Sequence, residues 1–288
     1  MLAKLFYNRV LARREHPAVI WPDSRASSLL PNITAMFFNY DHLHFLYEPF
    51  PIGMAKPLMD ESTYQEFLDH FPALERFDDY KKIGRPGSKY TLSEKENPRA
   101  FNDFIRSDPL WREFHRWIKS DAFVYEIMDT LKQHHLDLGY KYVPPAQRLL
   151  HLLTGIVSGR LSPKAARLRA RFEFSAMSAE GGHLNPHTDA PSKIVTLVIS
   201  MMREGEWDPA FGGGTDVNRP KDDRFRFNQL NHLAGFEDME IVHTYDYSPN
   251  QAVIFVKTYN SWHSVRPMTG PATAPLRKTL TINIERLV

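Results

Sequence analysis

Five side chains, scattered along the chain, are of types that could do chemistry together. His187 and Asp189 stand two apart in HLNPHTDAPSKIVTLVISMM, His263 lies far downstream in NSWHSVRPM, and Arg277 and Thr279 belong to APLRKTLTINI. Residues i and i+2 of an extended strand project from one face. The spacing therefore predicts that His187 and Asp189 point together, with Ala190 and Pro191 ending the strand. His263 would join them from a distant strand. Two imidazoles and one carboxylate can hold a metal on one face and leave three positions open, the donor set of non-haem Fe(II) sites. Arg277 and Thr279 share a strand face, so a guanidinium and a hydroxyl can converge on a buried carboxylate, an anion that needs a charged, fork-shaped partner. Arg266, three after His263, competes for that role but lies on the opposite face of a regular strand.

An isolated H-x-D is a weak signal, since the pair occurs by chance. Order strengthens it: H-x-D, an apolar strand, a glycine cluster, a second apolar strand, a second histidine, then an arginine on the last strand. The chain has no cysteine, so disulfides, thiolate metal sites and a Cys nucleophile are excluded, and any metal must sit on His and carboxylate ligands.

The elements that must position these residues divide the chain. At 288 residues, 42% hydrophobic and 24% charged, it can bury a core and is not of disordered composition. The formal net charge of +2 is too mild for a nucleic-acid footprint. No apolar run approaches a membrane span, and the basic N-terminal pattern MLAKLFYNRVLARR reads as a surface helix; a cytoplasmic protein is expected. YEPFPIGMAKPLM suits an edge strand or an extended segment. DESTYQEFLDHF, NPRAFNDFI, DPLWREFHRWI and DAFVYEIMDTLKQHHLDLG read as helices, the last stopped by Gly139. Trp111, Phe114, Trp117, Phe123 and Ile127 are their core stripe. Residues 78–96 read as a polar loop. Short alternating or β-branched runs then dominate to the C-terminus. The division is a mostly helical portion, 1–165, and a β-rich core, 166–288, within one structural unit.

The core segments resemble a known family. HTDAPSKIVTLVISM, FGGGTDV, PNQAVIFVKTYNSWHSVRPM and RKTLTINI are together similar to the Fe(II)/2-oxoglutarate-dependent dioxygenases, within them the prolyl-hydroxylase-like branch. The resemblance implies an α+β protein with a double-stranded β-helix (jelly-roll) core. It carries iron ligation to His187, Asp189 and His263, and 2-oxoglutarate binding to Arg277, with Fe(II), 2-oxoglutarate and O2 as cofactor and co-substrates. This chain departs from the branch in two places. MTGPATAP lengthens the gap between His263 and Arg277, and the tyrosine expected after H-x-D is replaced near Ser200. The hydroxyl partner of Arg277 is thus open among Thr279, Thr196 and Ser200. The implied activity is hydroxylation of an unidentified small molecule, amino acid, sugar or peptidyl side chain. A cupin-like metal enzyme without 2-oxoglutarate and a non-catalytic jelly-roll binding module are the alternatives.

Other residues read more plainly. His183 is too far along the strand to ligate; His134, His135 and His151 lack a carboxylate in ligand-like spacing. The triple glycine 212–214 lacks the Lys and following helix of a phosphate loop and reads as a tight turn. KAARLRARF reads as a solvated flank, with recruitment of an acidic or phosphorylated substrate as the alternative, and Trp262 as packing at the metal pocket, with substrate stacking as the alternative. The segment from Arg203 to Asn250, with residues 78–96, is expected to shape the mouth of the site.

Overall fold

The computed structural model describes residues 37–77, 89–140 and 168–286. The N-terminal helix pattern and His151 lie outside them.

The alternation of RKTLTINIER shows how the last strand, β11 (Arg277–Arg286), is used. Leu280, Ile282 and Ile284 are fully buried on one face, while Arg277, Thr279, Thr281, Asn283 and Glu285 share the other, as the two-residue period requires. β11 lies between β4 (Leu168–Met177) and β6 (Lys193–Ser200). The full order of this antiparallel sheet is β1-β2-β9-β6-β11-β4-β3, with β1 (His44–Leu46), β2 (Ile52–Ala55), β3 (Lys89–Ser93) and β9 (Ala252–Val256). A second antiparallel sheet runs β5-β10-β7-β8, from β5 (Leu184–His187), β7 (Thr215–Pro220), β8 (Met239–Tyr245) and β10 (His263–Val265).

The two sheets meet through Ile52, Val253 and Phe255 on the large one and Val217 and Tyr245 on the small one, with Phe50, just before β2, packed among them. On its other face the large sheet is covered by helices. These are α1 (Glu61–Asp69), α2 (Pro98–Ser107), α3 (Pro109–Ile118) and α4 (Asp121–Gln133). Their apolar stripes carry the expected aromatic residues inward: Trp111 packs on Phe174 of β4 with ring centroids 4.6 Å apart, and Trp117 on Phe123 at 4.7 Å. Asp108 and Ser120 cap α3 and α4 by accepting backbone N–H bonds from Trp111 and Phe123, replacing partners that a helix start lacks. Among the described residues no helix is long and apolar enough to cross a membrane.

Three local expectations are corrected. α4 ends at Gln133, not Gly139: His135 takes a φ of 61°, and Leu136 N donates back to Leu131 O at 2.9 Å, closing the helix as a Schellman ending does. Within 78–96, Lys89–Ser93 is a strand, because pairing with β4 (Thr91 opposite Ser175) overrides its polar composition. β2 is not at the edge; β1 covers it, and Ile52–Ala55 pairs with β9 on its other side. The large sheet thus draws β1, β2 and β3 from the portion before residue 166. The basic run begins outside the described residues and continues into β4, where Arg171 pairs with Glu285 at 2.8 Å instead of lying free in solvent.

Glu126 on α4 gives a stability test. Burial pushes its carboxyl up to about 7, with Tyr40 pulling slightly the other way. A carboxyl whose folded value exceeds its unfolded one contributes fully below about pH 4.5 and loses that contribution as pH rises through 7. Glu126→Gln is expected to remove this dependence and to stabilise the protein at pH 8 by roughly 3 kcal/mol. Urea unfolding at pH 5 and pH 8 reads it, and an equal pH dependence in both proteins would contradict it.

Candidate metal and dicarboxylate site

His187 ends β5 and His263 begins β10, and the two are register partners. Their rings lie 4.3 Å apart. Each ring is held by the carbonyl two residues before it: His187 Nδ1 donates to Asn185 O at 2.8 Å and His263 Nδ1 to Ser261 O at 2.9 Å. A carbonyl can only accept, so the proton sits on Nδ1 and each Nε2 keeps a free lone pair.

Asp189 joins them by a route that strand periodicity does not supply. β5 stops at His187, and Asp189 adopts a φ of 69°, a left-handed conformation that Asp tolerates better than most residues. The turn is held from the side by Thr188, whose hydroxyl donates to Asn228 O at 2.6 Å and accepts from Lys257 Nζ at 3.2 Å. One donor atom from each of His187, Asp189 and His263 lies within 4.8 Å of the others, a group that could hold a metal ion.

The electrostatics suit a cation. Burial holds the His187 imidazole below its ordinary value and, with His187 beside it, pushes His263 down to about 3. Both rings are therefore neutral ligands at neutral pH. Burial alone would raise Asp189, but Lys193, with smaller contributions from the two histidines, holds it well below the usual carboxylate range. Two neutral imidazoles and an ionised carboxylate are the donors that Fe(II) accepts, so the residues present fit the metal.

Arg277 is buried on the inner face of β11. Its Nε donates to Gly213 O at 2.5 Å, and its guanidinium lies over the Tyr247 ring, 4.9 Å from the centroid. Among the described residues it pairs with no carboxylate. Gly213 must be glycine: its φ is 88°, and a Cβ there would stand 3.2 Å from Arg277 Cδ and 3.1 Å from Met268 Sδ. The 212–214 turn thus forms one wall of the arginine's niche.

The hydroxyl candidates separate. Thr279 is the register partner of both Ser200 and Ser175, so the three form one row on the inner face; Thr279 Oγ1 and Ser175 Oγ are 2.7 Å apart. Thr196 donates instead to Asp189 Oδ2 at 2.9 Å, so its hydroxyl is engaged at the aspartate. Buried Asn283 offers that hydroxyl a second, longer acceptor, its Oδ1 at 3.2 Å. Arg266 points elsewhere, to Asp216 at 3.0 Å. His183 contacts Gly181 O and Phe236, away from the three donors. Trp262 donates to Phe225 O at 2.9 Å and packs with Ala234 and Met239 beneath the 222–238 segment. Within 203–250, Thr215–Pro220 and Met239–Tyr245 are strands of the small sheet, leaving the segments around them to border the site.

Sequence reasoning missed Lys193, Tyr247, Ser175 and Asn283. Only Lys193 carried a usable signal, an ammonium four residues after the aspartate.

The 2OG-Fe(II) oxygenase superfamily model matches residues 172–285, which contain all three donors and Arg277. No curated protein matches the chain. Among solved structures, a Pseudomonas putida prolyl-4-hydroxylase is similar at 19% identity over 52% of this chain and 68% of its own, with a TM-score of 0.29. A Trichoplax adhaerens prolyl hydroxylase, solved with a hypoxia inducible factor peptide fragment, is 12% identical over 82% and 83%, with a TM-score of 0.41. IDO from Bacillus thuringiensis is 13% identical over 80% and 88%, with a TM-score of 0.42. Likeness this distant carries no substrate across.

Proposed function

We propose that this chain, which carries a 2OG-Fe(II) oxygenase domain over residues 172–285, hydroxylates an unactivated C–H bond of its substrate and releases succinate and CO2. The family implies Fe(II), 2-oxoglutarate and O2. The observation that carries the reading is the convergence of His187, Asp189 and His263, together with a buried arginine that has no carboxylate partner among the described residues. In this reading the two Nε2 atoms and one Asp189 oxygen hold the metal. Arg277 receives the far carboxylate of 2-oxoglutarate, with the Thr279 row beside it and Tyr247 bracing the guanidinium. Bound together, the iron and the oxo acid supply the activation of O2 that C–H hydroxylation needs. The protein's part is to fix ligand tautomers, keep three positions open and exclude water, the last through Phe255, 4.3 Å from the His263 ring.

The two sheets are consistent with the β-sandwich of these oxygenases, and we read them more finely as a double-stranded β-helix spanning 166–288, with helices from the 1–165 portion as its support. A reducing cytoplasm, which keeps iron ferrous, suits this chemistry. For the substrate, a peptidyl side chain is favoured over a sugar. Exposed Phe227, Leu230, Leu233 and Tyr259 lie on or against the segment whose Asn228 and Asn231 bond to Thr188, and large exposed apolar groups beside a site mark a surface for apolar partners.

The test is succinate release by the iron-loaded protein with 2-oxoglutarate and O2, against panels of peptides, amino acids and sugars. Peptide-stimulated release is expected. Stimulation by sugars alone would overturn the substrate class, and metal binding without any 2-oxoglutarate consumption would favour the cupin-like reading.

A further inference from the structure

Asp189 is held by two partners that divide its carboxylate between them. Lys193 Nζ lies 2.7 Å from Oδ1, and Thr196 Oγ1 donates to Oδ2 at 2.9 Å. Residues three apart on a regular strand point to opposite faces. Here the register of β6 against β11 skips: Ile284 faces Val195, but Glu285 faces Lys193. Ile194 is the extra residue of this bulge, a device that re-aims side chains beside active sites, and it brings Lys193 to the side of Thr196. The Lys193 side chain is only 16% exposed, and Asp189 is its carboxylate partner.

The geometry points to Lys193 as a positioning residue that makes Asp189 a one-oxygen, charge-cancelled ligand and so couples metal binding to the dianionic co-substrate. The inference rests on the metal-site reading above. With both carboxylate oxygens already accepting a hydrogen bond, a two-oxygen grip on the metal is disfavoured, which preserves the open positions. The charges add to the same end. Carboxylate and ammonium cancel, and rings that give Nδ1–H to the Asn185 and Ser261 carbonyls would ligate through uncharged Nε2 atoms. A divalent ion would therefore bring two uncompensated positive charges into a buried place, at a cost. 2-Oxoglutarate, whose far carboxylate goes to Arg277, brings its other carboxylate beside the metal and offsets part of that charge. Without the ammonium the donor set is anionic, the metal alone is better accommodated, and the dianion adds less. Coupling of this kind is reciprocal between the two ligands.

Mn(II) affinity, measured without and with saturating 2-oxoglutarate, reads the coupling without turnover. In Lys193→Met the metal alone is expected to bind more tightly, and the tightening caused by 2-oxoglutarate to shrink, each by roughly tenfold. Lys193→Arg should restore the wild-type ratio. Lys193→Gln, which keeps a donor for Oδ1 without the charge, should follow Lys193→Met and serves if the latter folds poorly. An unchanged ratio in both neutral variants, even with both affinities lowered, would reduce Lys193 to a structural role and overturn the inference. Equal Mn(II) binding by wild type and His187→Ala would instead overturn the metal site itself, and the inference with it.

Discussion

Replacing Asp189 with asparagine is expected to abolish 2-oxoglutarate turnover and to weaken divalent-metal binding more than ~100-fold, the upper end of what losing a supporting residue costs a metal site. The substitution is nearly isosteric, and its amide oxygen can still accept from Thr196, so the local shape survives. What disappears is the negative charge. Lys193, 2.7 Å from Oδ1 and mostly buried, is left without its carboxylate, and an unpaired buried ammonium beside the donor atoms opposes an incoming cation. Calorimetric Mn(II) titration and a succinate assay check both parts. Wild-type metal affinity in a folded Asp189→Asn protein would remove Asp189 from the ligand set.

Arg277→Met has the second large effect, and its two readouts move apart. Truncating one partner of a buried charge pair costs about 2–5 kcal/mol, so the 2-oxoglutarate KM should rise roughly 30- to 5,000-fold. Stability should not fall with it. In the protein alone Arg277 is a buried cation whose contacts are the Gly213 carbonyl and the Tyr247 ring, and an apolar side chain of similar length relieves its desolvation. Steady-state kinetics and thermal unfolding measure the pair of effects. An unchanged KM would pass the anchor role to another residue and favour a metal enzyme that does not use 2-oxoglutarate.

The parts of the site that could be read in the sequence are those where the chemistry restricts residue type. His187, Asp189, His263 and Arg277 stood out because few structural roles need that set in that order, and apolar runs between them marked β6, β9 and β11. The reason His187 and Asp189 converge was not legible. Strand period predicts it, but the structure achieves it with a φ of 69° at Asp189 beyond the end of β5, a backbone choice enforced by Thr188 and the 228–231 segment. Lys193 escaped notice because a bulge, a property of its pairing with β11, turns it toward Asp189. Tyr247 could not be found from spacing, since only tertiary folding lays its ring under Arg277. The same cause hid β3: KYTLS sits in a polar stretch and becomes a strand only through β4. The end of α4 shows the converse, with His135 taking the left-handed conformation that Gly139 offered by composition.

The most direct measurement is optical. Adding 2-oxoglutarate to the Fe(II)-loaded protein under anaerobic conditions should produce the weak visible charge-transfer band of a 2-oxo acid chelated to ferrous iron, and His187→Ala should lose it. Folded, iron-loaded wild-type protein that shows no band, or a band that persists in His187→Ala, would contradict the site described here.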